Sequence, residues 1–314
     1  MNRVIVVGSG HWGKNLVRNF YELGSLAGVV ELSPSLQQQF QAQYDDVPLL
    51  TDYAQALASD VSAVVLATPA PTHYSLALAA LKAGKDVFVE KPMTLHAAEA
   101  RELAAYADAH GQILMVGHLL LYQPAIAWMR NYLSGGEAGN VLHVATRRLN
   151  LGKVRTTENV WWSLAPHDVS IVLDLLGNPR LSRVSATGHA RLQNNIADEV
   201  HADLIFESGQ SAHVHCSWQW PLKQRGTTVI AEKQMLVYDE IQQSVTTYDK
   251  SVDSDLAVVD QGATVVDIAN EQPLRLECEH FLKCLATRQT PHSDGRNGVD
   301  VVNILEQVQE VLNG

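Results

Sequence analysis

Two hydrophobic patterns alternate along the first 120 residues. Short runs of β-branched and aromatic residues predict strands at 3–7, 27–31, 63–67, 86–89 and 113–116. Between them, apolar residues at helical spacing predict helices at 12–23, 34–43, 52–58, 73–83 and 95–109. Gly111 is a suitable stop for the last of these helices. The alternation favours an α/β domain with a doubly wound parallel sheet covered by helices.

The pattern changes after Gly117. Helices are predicted at 125–133, 166–176, 274–286 and 297–312, and strands at 141–150, 181–190, 199–206, 211–219, 226–231, 234–238 and 244–248. A run of strands without intervening helices favours an α+β domain with a large open, mainly antiparallel sheet. The polar stretch 249–272 is expected to be a surface excursion. We therefore expect a cofactor-binding domain over residues 1–120 and a domain for substrate binding and oligomerisation over 121–314.

Composition narrows the class of protein. A formal charge of -11 argues against a nucleic-acid binder, which needs a basic surface. No run of 18 or more apolar residues predicts a transmembrane helix, and the chain enters a strand at once without a signal-peptide pattern. Cys216, Cys278 and Cys284 are widely spaced and have no metal-ligand pattern. We expect a cytoplasmic protein with reduced cysteines, no metal, and no nucleic-acid or membrane partner.

A glycine-rich turn follows the first predicted strand and opens the first helix. Its residues are Gly8, Ser9, Gly10, His11, Trp12 and Gly13. This spacing allows a tight turn, close approach of the backbone to a pyrophosphate, and tight packing of helix on strand. Glu31 ends the second strand, where a carboxylate binds both ribose hydroxyls and repels a 2′-phosphate, so NAD is favoured over NADP. The alternative for the glycine-rich segment is a purely structural turn, and the alternative for Glu31 is a solvated loop carboxylate.

Two further clusters follow later strands of the same domain. Thr68 and Pro69 begin a rigid turn after the third strand, and His73 either caps the next helix or lines the nicotinamide side of the cleft. Lys91 stands between Glu90 and Pro92 at the carboxyl end of a strand, where open α/β sheets place their ligands. Proline restricts the residue before it, so the lysine is held in position for a reacting oxygen.

These motifs, together with Gly117-His118, resemble the Gfo/Idh/MocA oxidoreductase family in their order and spacing. The resemblance implies a Rossmann domain followed by an open antiparallel-sheet domain, with NAD(P)-dependent hydride transfer on sugars or cyclitols. It also implies that Lys91 approaches the substrate hydroxyl and the nicotinamide, and that His167 is the catalytic histidine. The family often has an aspartate four residues before that histidine, where this chain has Ser163.

His167 is predicted to open an apolar helix after Pro166. A histidine titrates near neutrality and suits the removal of a hydroxyl proton, although a helix-capping or core role is the alternative. The residues leave open whether Lys91 or His167 is the base, because their protonation is coupled. Lys91 is also expected to stabilise the developing alkoxide charge.

Four cations lie within nine residues at Arg147, Arg148, Lys153 and Arg155. They are either a solvated basic segment or a diphosphate site, since arginine binds phosphate through two hydrogen bonds. Together with the Trp161-Trp162 and Pro166-His167-Asp168 segments they resemble a narrower branch, the UDP-N-acetylglucosamine 3-dehydrogenases. Candidate substrate-binding residues are His118, Tyr122, Arg148, Asn150, Arg155, Asn159 and Trp162, of which His118 and Tyr122 could equally be packing residues.

The expected substrate is therefore a UDP-sugar, oxidised at its 3-hydroxyl, with a free sugar or inositol as the alternative. A cofactor-binding regulator without catalysis is a third possibility, which the presence of both Lys91 and His167 disfavours. Val214, Cys216 and Trp218 alternate on one side of a strand and predict an exposed apolar sheet face. Such a face is typical of an interface, so we expect a homodimer or homotetramer.

Overall fold

The computed structural model describes residues 3–314. Contacts between Cα atoms divide the chain into two compact units. The first comprises the described residues of Met1–Leu119 together with Gln272–Asn303, and the second comprises Leu120–Glu271 together with Ile304–Gly314. The sequence placed the whole of 121–314 in a second domain, whereas here residues 272–303 belong with the first unit.

The first unit is built on a six-stranded parallel sheet with strand order β3-β2-β1-β4-β5-β6. Its strands are β1 (Val4–Val7), β2 (Leu26–Val30), β3 (Leu49–Leu50), β4 (Ala63–Leu66), β5 (Asp86–Glu90) and β6 (Leu114–Gly117). Every residue of β1, β4, β5 and β6 is buried, as expected when helices cover both faces of a parallel sheet. The prediction of a doubly wound parallel sheet is confirmed.

Five helices connect these strands. They are α1 (Gly13–Glu22), α2 (Pro34–Gln43), α3 (Tyr53–Ala58), α4 (His73–Lys82) and α5 (Ala97–His110). Gly111 ends α5 in the left-handed conformation with φ 61°, as its position in the sequence predicted. Between β1 and β4 the strand order reverses direction, so the loops after these two strands lie side by side.

Residues 272–303 complete the first unit through contacts distant in sequence. They form α8 (Pro273–Thr287) and the start of α9 (Gly295–Asn313), the helix that contributes residues to both units. Phe281 of α8 packs edge-on against Phe88, with ring centroids 5.5 Å apart. The Arg288 guanidinium donates to Asp86, and the Ser293 hydroxyl donates to the Val116 carbonyl oxygen at 2.7 Å.

The second unit contains an eight-stranded sheet with order β14-β13-β12-β11-β7-β10-β9-β8, together with α6 (Pro124–Ser134) and α7 (Val160–Leu176). Its strands are β7 (Val141–Leu149), β8 (Leu181–His189), β9 (Glu199–Phe206), β10 (Ser211–Ser217), β11 (Gln224–Ala231), β12 (Met235–Asp239), β13 (Ser244–Val252) and β14 (Val258–Val266). The pair β7–β10 is parallel and the other neighbours are antiparallel, which confirms the mainly antiparallel prediction.

One face of this sheet is covered by α7, which packs against β7, β9 and β10. Val214 and Cys216 point to the covered face and are fully buried, as is almost all of Trp218. The sequence assigned these residues to an exposed face, and that interpretation is wrong because the helix lies on them. The homodimer or homotetramer that we predicted through this sheet stays a prediction, but the exposed apolar face no longer supports it.

Two local predictions differ from the structure, and one strand was not predicted. The stretch 249–272 is not simply a surface excursion, since it contains the end of β13 and all of β14, whose side chains are mostly exposed on both faces and so show no alternation. The two-residue strand β3 is too short to give a pattern. Helix α7 begins at Val160 and not at 166, because the Asn159 side chain caps it by accepting from the Trp162 amide.

Among residues 3–314 we find no helix with the length and hydrophobicity needed to cross a bilayer.

Candidate active site

The glycine-rich turn follows β1 and leads into α1. Gly8 has φ 90°, and a Cβ atom there would lie 3.0 Å from the Ala67 carbonyl oxygen of the loop after β4. A Cβ atom on Gly13 would lie 2.1 Å from the Gly8 carbonyl oxygen, so the turn closes only with glycine there. A Cβ atom on Gly10 would meet nothing within 4 Å. Gly10 therefore faces open space at the start of a helix, where amide groups and the helix dipole attract phosphate.

Glu31 lies at the end of β2 and closes the same turn. Its carboxylate accepts hydrogen bonds from the Ser9 amide and hydroxyl, both at 2.8 Å, and from the Ser33 amide at 2.9 Å. Burial alone would raise its pKa, but the hydrogen bonds from Ser33 and Ser9 outweigh burial and lower the pKa below its usual value. The turn therefore carries a fixed negative charge at the position that the sequence assigned to the cofactor ribose.

His73 connects two loops at the carboxyl ends of the strands. Its ring is almost fully buried, with Nδ1 2.8 Å from the Pro92 carbonyl oxygen and Nε2 2.8 Å from the Thr68 carbonyl oxygen. Burial is the main cause that lowers its pKa, which favours the neutral ring. A neutral imidazole carries one N–H, so His73 donates to one of these two carbonyl oxygens and lies packed between the segments of Thr68 and Pro92. The sequence had left its role open between helix capping and contact with the nicotinamide.

Lys91 directly follows β5, and the peptide bond to Pro92 is cis. The buried Glu90 before it accepts hydrogen bonds from the Trp12 indole and from the Lys91 amide, so the glycine-rich turn and the lysine segment share one carboxyl group. Burial raises the pKa of Glu90 to about 7. Gly117 leaves room for this carboxyl, since a Cβ atom there would lie 3.0 Å from it.

His118 is the second group near Lys91. Its side chain is almost fully buried, and neither ring nitrogen has a hydrogen-bond partner among residues 3–314. Burial and then the charge of Lys91 lower its pKa to about 3, so the ring is neutral. A buried imidazole with both nitrogens unsatisfied in the described part of the chain is typical of a site that a ligand completes.

Glu277 of α8 was missed by the sequence analysis. It is fully buried, and neither carboxyl oxygen has a hydrogen-bond partner within the described range 3–314. Burial and the nearby Glu90 raise its pKa well above the usual value. A signal was present, because Glu277 lies in the apolar stripe of its helix formed by Cys278, Phe281 and Leu285.

In the second unit, Arg148 is enclosed by carboxylates. Its Nε donates to Asp168 at 2.8 Å, and its Nη2 donates to Asp168 at 3.2 Å and to Glu240 at 3.0 Å. The side chain is only 3% exposed. The sequence proposed Arg148 as a diphosphate ligand, and the structure corrects this, because its donors are already bonded to the carboxylates of Asp168 and Glu240.

The other predicted substrate residues of the second unit are spread over loops and helix ends. Asn159 caps α7 and donates to Gln309 at 2.7 Å, so its amide has a structural partner on each side. Arg155 is exposed, with Glu158 3.8 Å away. Asn150, Trp162 and Tyr122 are partly or largely buried.

The sequence predicted that His167 opens a helix. In the structure His167 lies inside α7, in its second turn, so that prediction is wrong. Pro166 is accommodated inside the helix directly before it. Ser163 precedes His167 by four residues and so lies on the same helix face, where the family often has an aspartate.

Comparisons with known proteins identify the family. Residues 2–118 match the "Oxidoreductase family, NAD-binding Rossmann fold", and residues 126–237 match the "GFO/IDH/MocA C-terminal domain". The chain belongs to the Gfo/Idh/MocA family. It is an NAD-binding oxidoreductase, and its named relatives include dehydrogenases of UDP-N-acetylglucosamine and of scyllo-inositol.

Individual relatives of this family are distant in sequence. The UDP-N-acetylglucosamine 3-dehydrogenase of Acidithiobacillus ferrooxidans is 26% identical, over 98% of this chain and 96% of the relative. A solved structure of that enzyme superposes with a TM-score of 0.88 at 27% identity, covering 99% of this chain and 97% of that one. The scyllo-inositol 2-dehydrogenase (NAD(+)) of Bacillus subtilis is 25% identical, over 74% of this chain and 69% of the relative.

The first unit fits a bound dinucleotide of the kind this family uses. Gly8 and Gly13 shape the turn, Gly10 leaves space for phosphate, and Glu31 supplies the carboxylate at the end of β2. His118 offers unsatisfied ring nitrogens near Lys91, at the same edge of the sheet. Among the cofactor residues that the sequence predicted, His11 and Trp12 lie in the turn, and Thr68 and Pro69 lie in the loop after β4.

Proposed function

We propose that this protein is an NAD-dependent dehydrogenase that oxidises the 3-hydroxyl of a UDP-N-acetylglucosamine-like nucleotide sugar to a 3-keto sugar. The observation that carries this proposal is the extent of the similarity. The match to the UDP-N-acetylglucosamine 3-dehydrogenase extends over 98% of this chain, whereas the scyllo-inositol enzyme matches 74%. We propose that the second unit contributes to substrate recognition, so a match that covers this unit in full bears on the substrate.

The cofactor choice rests on Glu31. Its carboxylate is held by Ser9 and Ser33 and its pKa is lowered, so it stays ionised at neutral pH. An ionised carboxylate accepts hydrogen bonds from ribose hydroxyls and repels a 2′-phosphate. We therefore propose NAD and not NADP as the physiological cofactor.

In the proposed reaction, the protein positions the substrate hydroxyl and stabilises the negative charge that develops on its oxygen. NAD, when bound, would supply the hydride acceptor. Lys91 is fixed between the Glu90 carboxyl and Pro92 at the end of β5, and its ammonium offers positive charge to the oxygen that becomes negative as the hydroxyl is oxidised. His118 stays neutral and can donate to, or accept from, a substrate hydroxyl. His167 as proton acceptor stays a prediction from the family resemblance.

The cation cluster supports a diphosphate substrate less strongly than the sequence suggested. Arg148 is committed to Asp168 and Glu240, so it contributes no free charge. Arg155 remains available, because it is exposed and its pair with Glu158 is long at 3.8 Å. We propose Arg155 as the cation that contacts the diphosphate.

The substrate assay is the formation of NADH, followed at 340 nm, with NAD and each of UDP-N-acetylglucosamine, free N-acetylglucosamine, myo-inositol and scyllo-inositol. We expect turnover with the UDP-sugar and little with the others. Mass spectrometry of the oxime formed with hydroxylamine, followed by NMR, then locates the new carbonyl at carbon 3. Turnover with an inositol but not with the UDP-sugar would refute the substrate and favour the alternative of a cyclitol dehydrogenase.

The role of Lys91 is tested by Lys91→Met, with Lys82→Met on the exposed surface of α4 as the matched control. Removing a group that stabilises transition-state charge lowers kcat by roughly 10²–10³. Binding of NADH, measured by protein fluorescence, should be unchanged in both variants. Wild-type kcat in Lys91→Met would contradict the proposed role.

A further inference from the structure

We propose that Glu199, His201 and His215 form a binding site for a divalent transition-metal ion of the Zn²⁺ type on the sheet of the second unit. The site uses none of the residues of the proposed reaction. It therefore stands or falls independently of the dehydrogenase activity.

The register of two neighbouring strands brings the three side chains together. His201 on β9 pairs directly with His215 on the antiparallel strand β10. Glu199 lies two residues before His201 on β9, so its side chain points to the same face. This is the face opposite α7, because Val200 and Cys216, next to these residues in sequence, point to the covered face and are buried. A rigid sheet thus presents two imidazoles and one carboxylate at one place.

The distances suit a small ion. The Glu199 Oε1 atom lies 3.2 Å from His215 Nε2 and 3.7 Å from His201 Nε2, and all three ligand atoms lie within 4.8 Å of one another. Tetrahedral Zn²⁺ with bonds of about 2.0–2.1 Å requires ligand atoms roughly 3.4 Å apart. The two histidine rings are stacked, with centroids 3.8 Å apart, so one ring must rotate about its side-chain bonds to share the ion. The strands need not move.

A neighbouring arginine orients the carboxylate ligand. The Arg191 guanidinium donates to Glu199 Oε2, which leaves Oε1 directed at the histidines. Such an outer partner orients a carboxylate ligand.

Two neighbouring side chains, His213 and Trp220, lie beside the three proposed ligands but are not ligands themselves. His213, two residues before His215 on β10, is engaged with Asp203 through a contact of 2.7 Å between Nδ1 and Oδ1. The ring of Trp220 lies edge-on to His215 at 5.5 Å and limits where that imidazole can turn. Three protein ligands and an open side correspond to a site in which water fills the fourth position. The sequence showed no metal-ligand spacing, because the ligands come from two strands.

Metal binding is measured on the untagged full-length chain after treatment with a chelator. The protein is dialysed against ZnCl₂, and bound zinc is quantified by inductively coupled plasma mass spectrometry. We expect one zinc per chain in the wild type. His201→Ala and His215→Ala should each reduce bound zinc to background, with circular dichroism confirming that the variants fold. Arg191→Gln should weaken zinc binding by about 10- to 100-fold while keeping the stoichiometry.

His213→Ala is the matched control, since it removes a histidine from the same strand and face without removing a proposed ligand. It should retain one zinc per chain. The proposal is overturned if the wild type binds no more zinc than the double variant His201→Ala/His215→Ala, or if His213→Ala loses as much zinc as His215→Ala. NADH formation by all these variants should match the wild type, which separates this outcome from failure of the proposed function.

Discussion

Replacing Glu277 by glutamine should remove a pH dependence of stability that the wild-type protein carries. Glu277 is fully buried, and within residues 3–314 its carboxyl oxygens have no hydrogen-bond partner. Burial and the neighbouring Glu90 raise its pKa in the folded protein well above the value of 4.5 for an exposed glutamate. Above pH 4.5 the folded chain therefore holds a proton that the unfolded chain releases. The free energy of unfolding must then fall as the pH rises.

The size of the effect follows from proton linkage. One proton held only by the folded state makes the free energy of unfolding fall by about 1.4 kcal/mol per pH unit. Between pH 6 and pH 8 the wild type should therefore lose up to about 3 kcal/mol relative to Glu277→Gln. For a unit of this size, 1 kcal/mol changes Tm by roughly 2–4 °C, so the Tm difference should grow by up to about 6–12 °C. Glu90, whose pKa burial raises to about 7 in the wild type, adds a slope of the same sign that fades as the pH rises above 7.

Thermal unfolding followed by tryptophan fluorescence at pH 6, 7 and 8 measures the difference. Glu279→Gln is the control, because it removes a half-exposed carboxyl from the same helix and breaks only the surface pair with Arg275. That variant should keep the wild-type slope. Parallel pH profiles for the wild type and Glu277→Gln would refute the reasoning, since they would mean that Glu277 loses its proton equally in the folded and unfolded chains.

Three further predictions concern charge and close packing. Arg148→Met should lower the free energy of unfolding by about 3–5 kcal/mol in guanidinium titrations, because it removes the cation paired with the buried Asp168 and leaves Glu240 only its pair with Arg225; a loss below about 1 kcal/mol would contradict the buried network. Glu31→Gln should raise KM for NAD by about tenfold, the equivalent of one lost hydrogen bond, and lower KM for NADP, as measured by steady-state kinetics. Gly13→Ala and Gly10→Ala should both weaken NADH binding, but only Gly13→Ala should also lower Tm, because its Cβ would lie 2.1 Å from the Gly8 carbonyl oxygen. Equal Tm values for the two glycine variants, or unchanged NADP kinetics in Glu31→Gln, would count against these assignments.

The strands, helices and motifs of the first unit could be predicted from the sequence because each depends on residues close together in the chain. Each buried strand is a short apolar run bounded by turn residues, and each helix has its own periodicity and stop signal. The glycine-rich turn and Glu90-Lys91-Pro92 are contiguous in sequence, so the chemistry of these segments is visible without coordinates. The same holds for the order of strands and helices, which limits the sheet to a parallel arrangement.

The structure overturned predictions wherever a side chain takes its partner from a distant segment. Arg148 looked like a phosphate ligand because its sequence neighbours are cations, whereas its partners Asp168 and Glu240 come from other elements. The apolar residues Val214 and Cys216 looked exposed, since nothing in the strand itself indicates that a helix covers one face.

The sequence by itself determined the strand–helix alternation, the cofactor turn and the fixed position of Lys91, because these depend on residues within one or two elements. Only the tertiary structure decided that Glu277 lies beside Glu90, that residues 272–303 complete the first unit, and that His201 meets His215 across two strands. The physical reason is that burial and electrostatic interaction depend on distance in space. A carboxyl, an arginine or a histidine acquires its charge state and its role from neighbours that the order of the chain does not reveal.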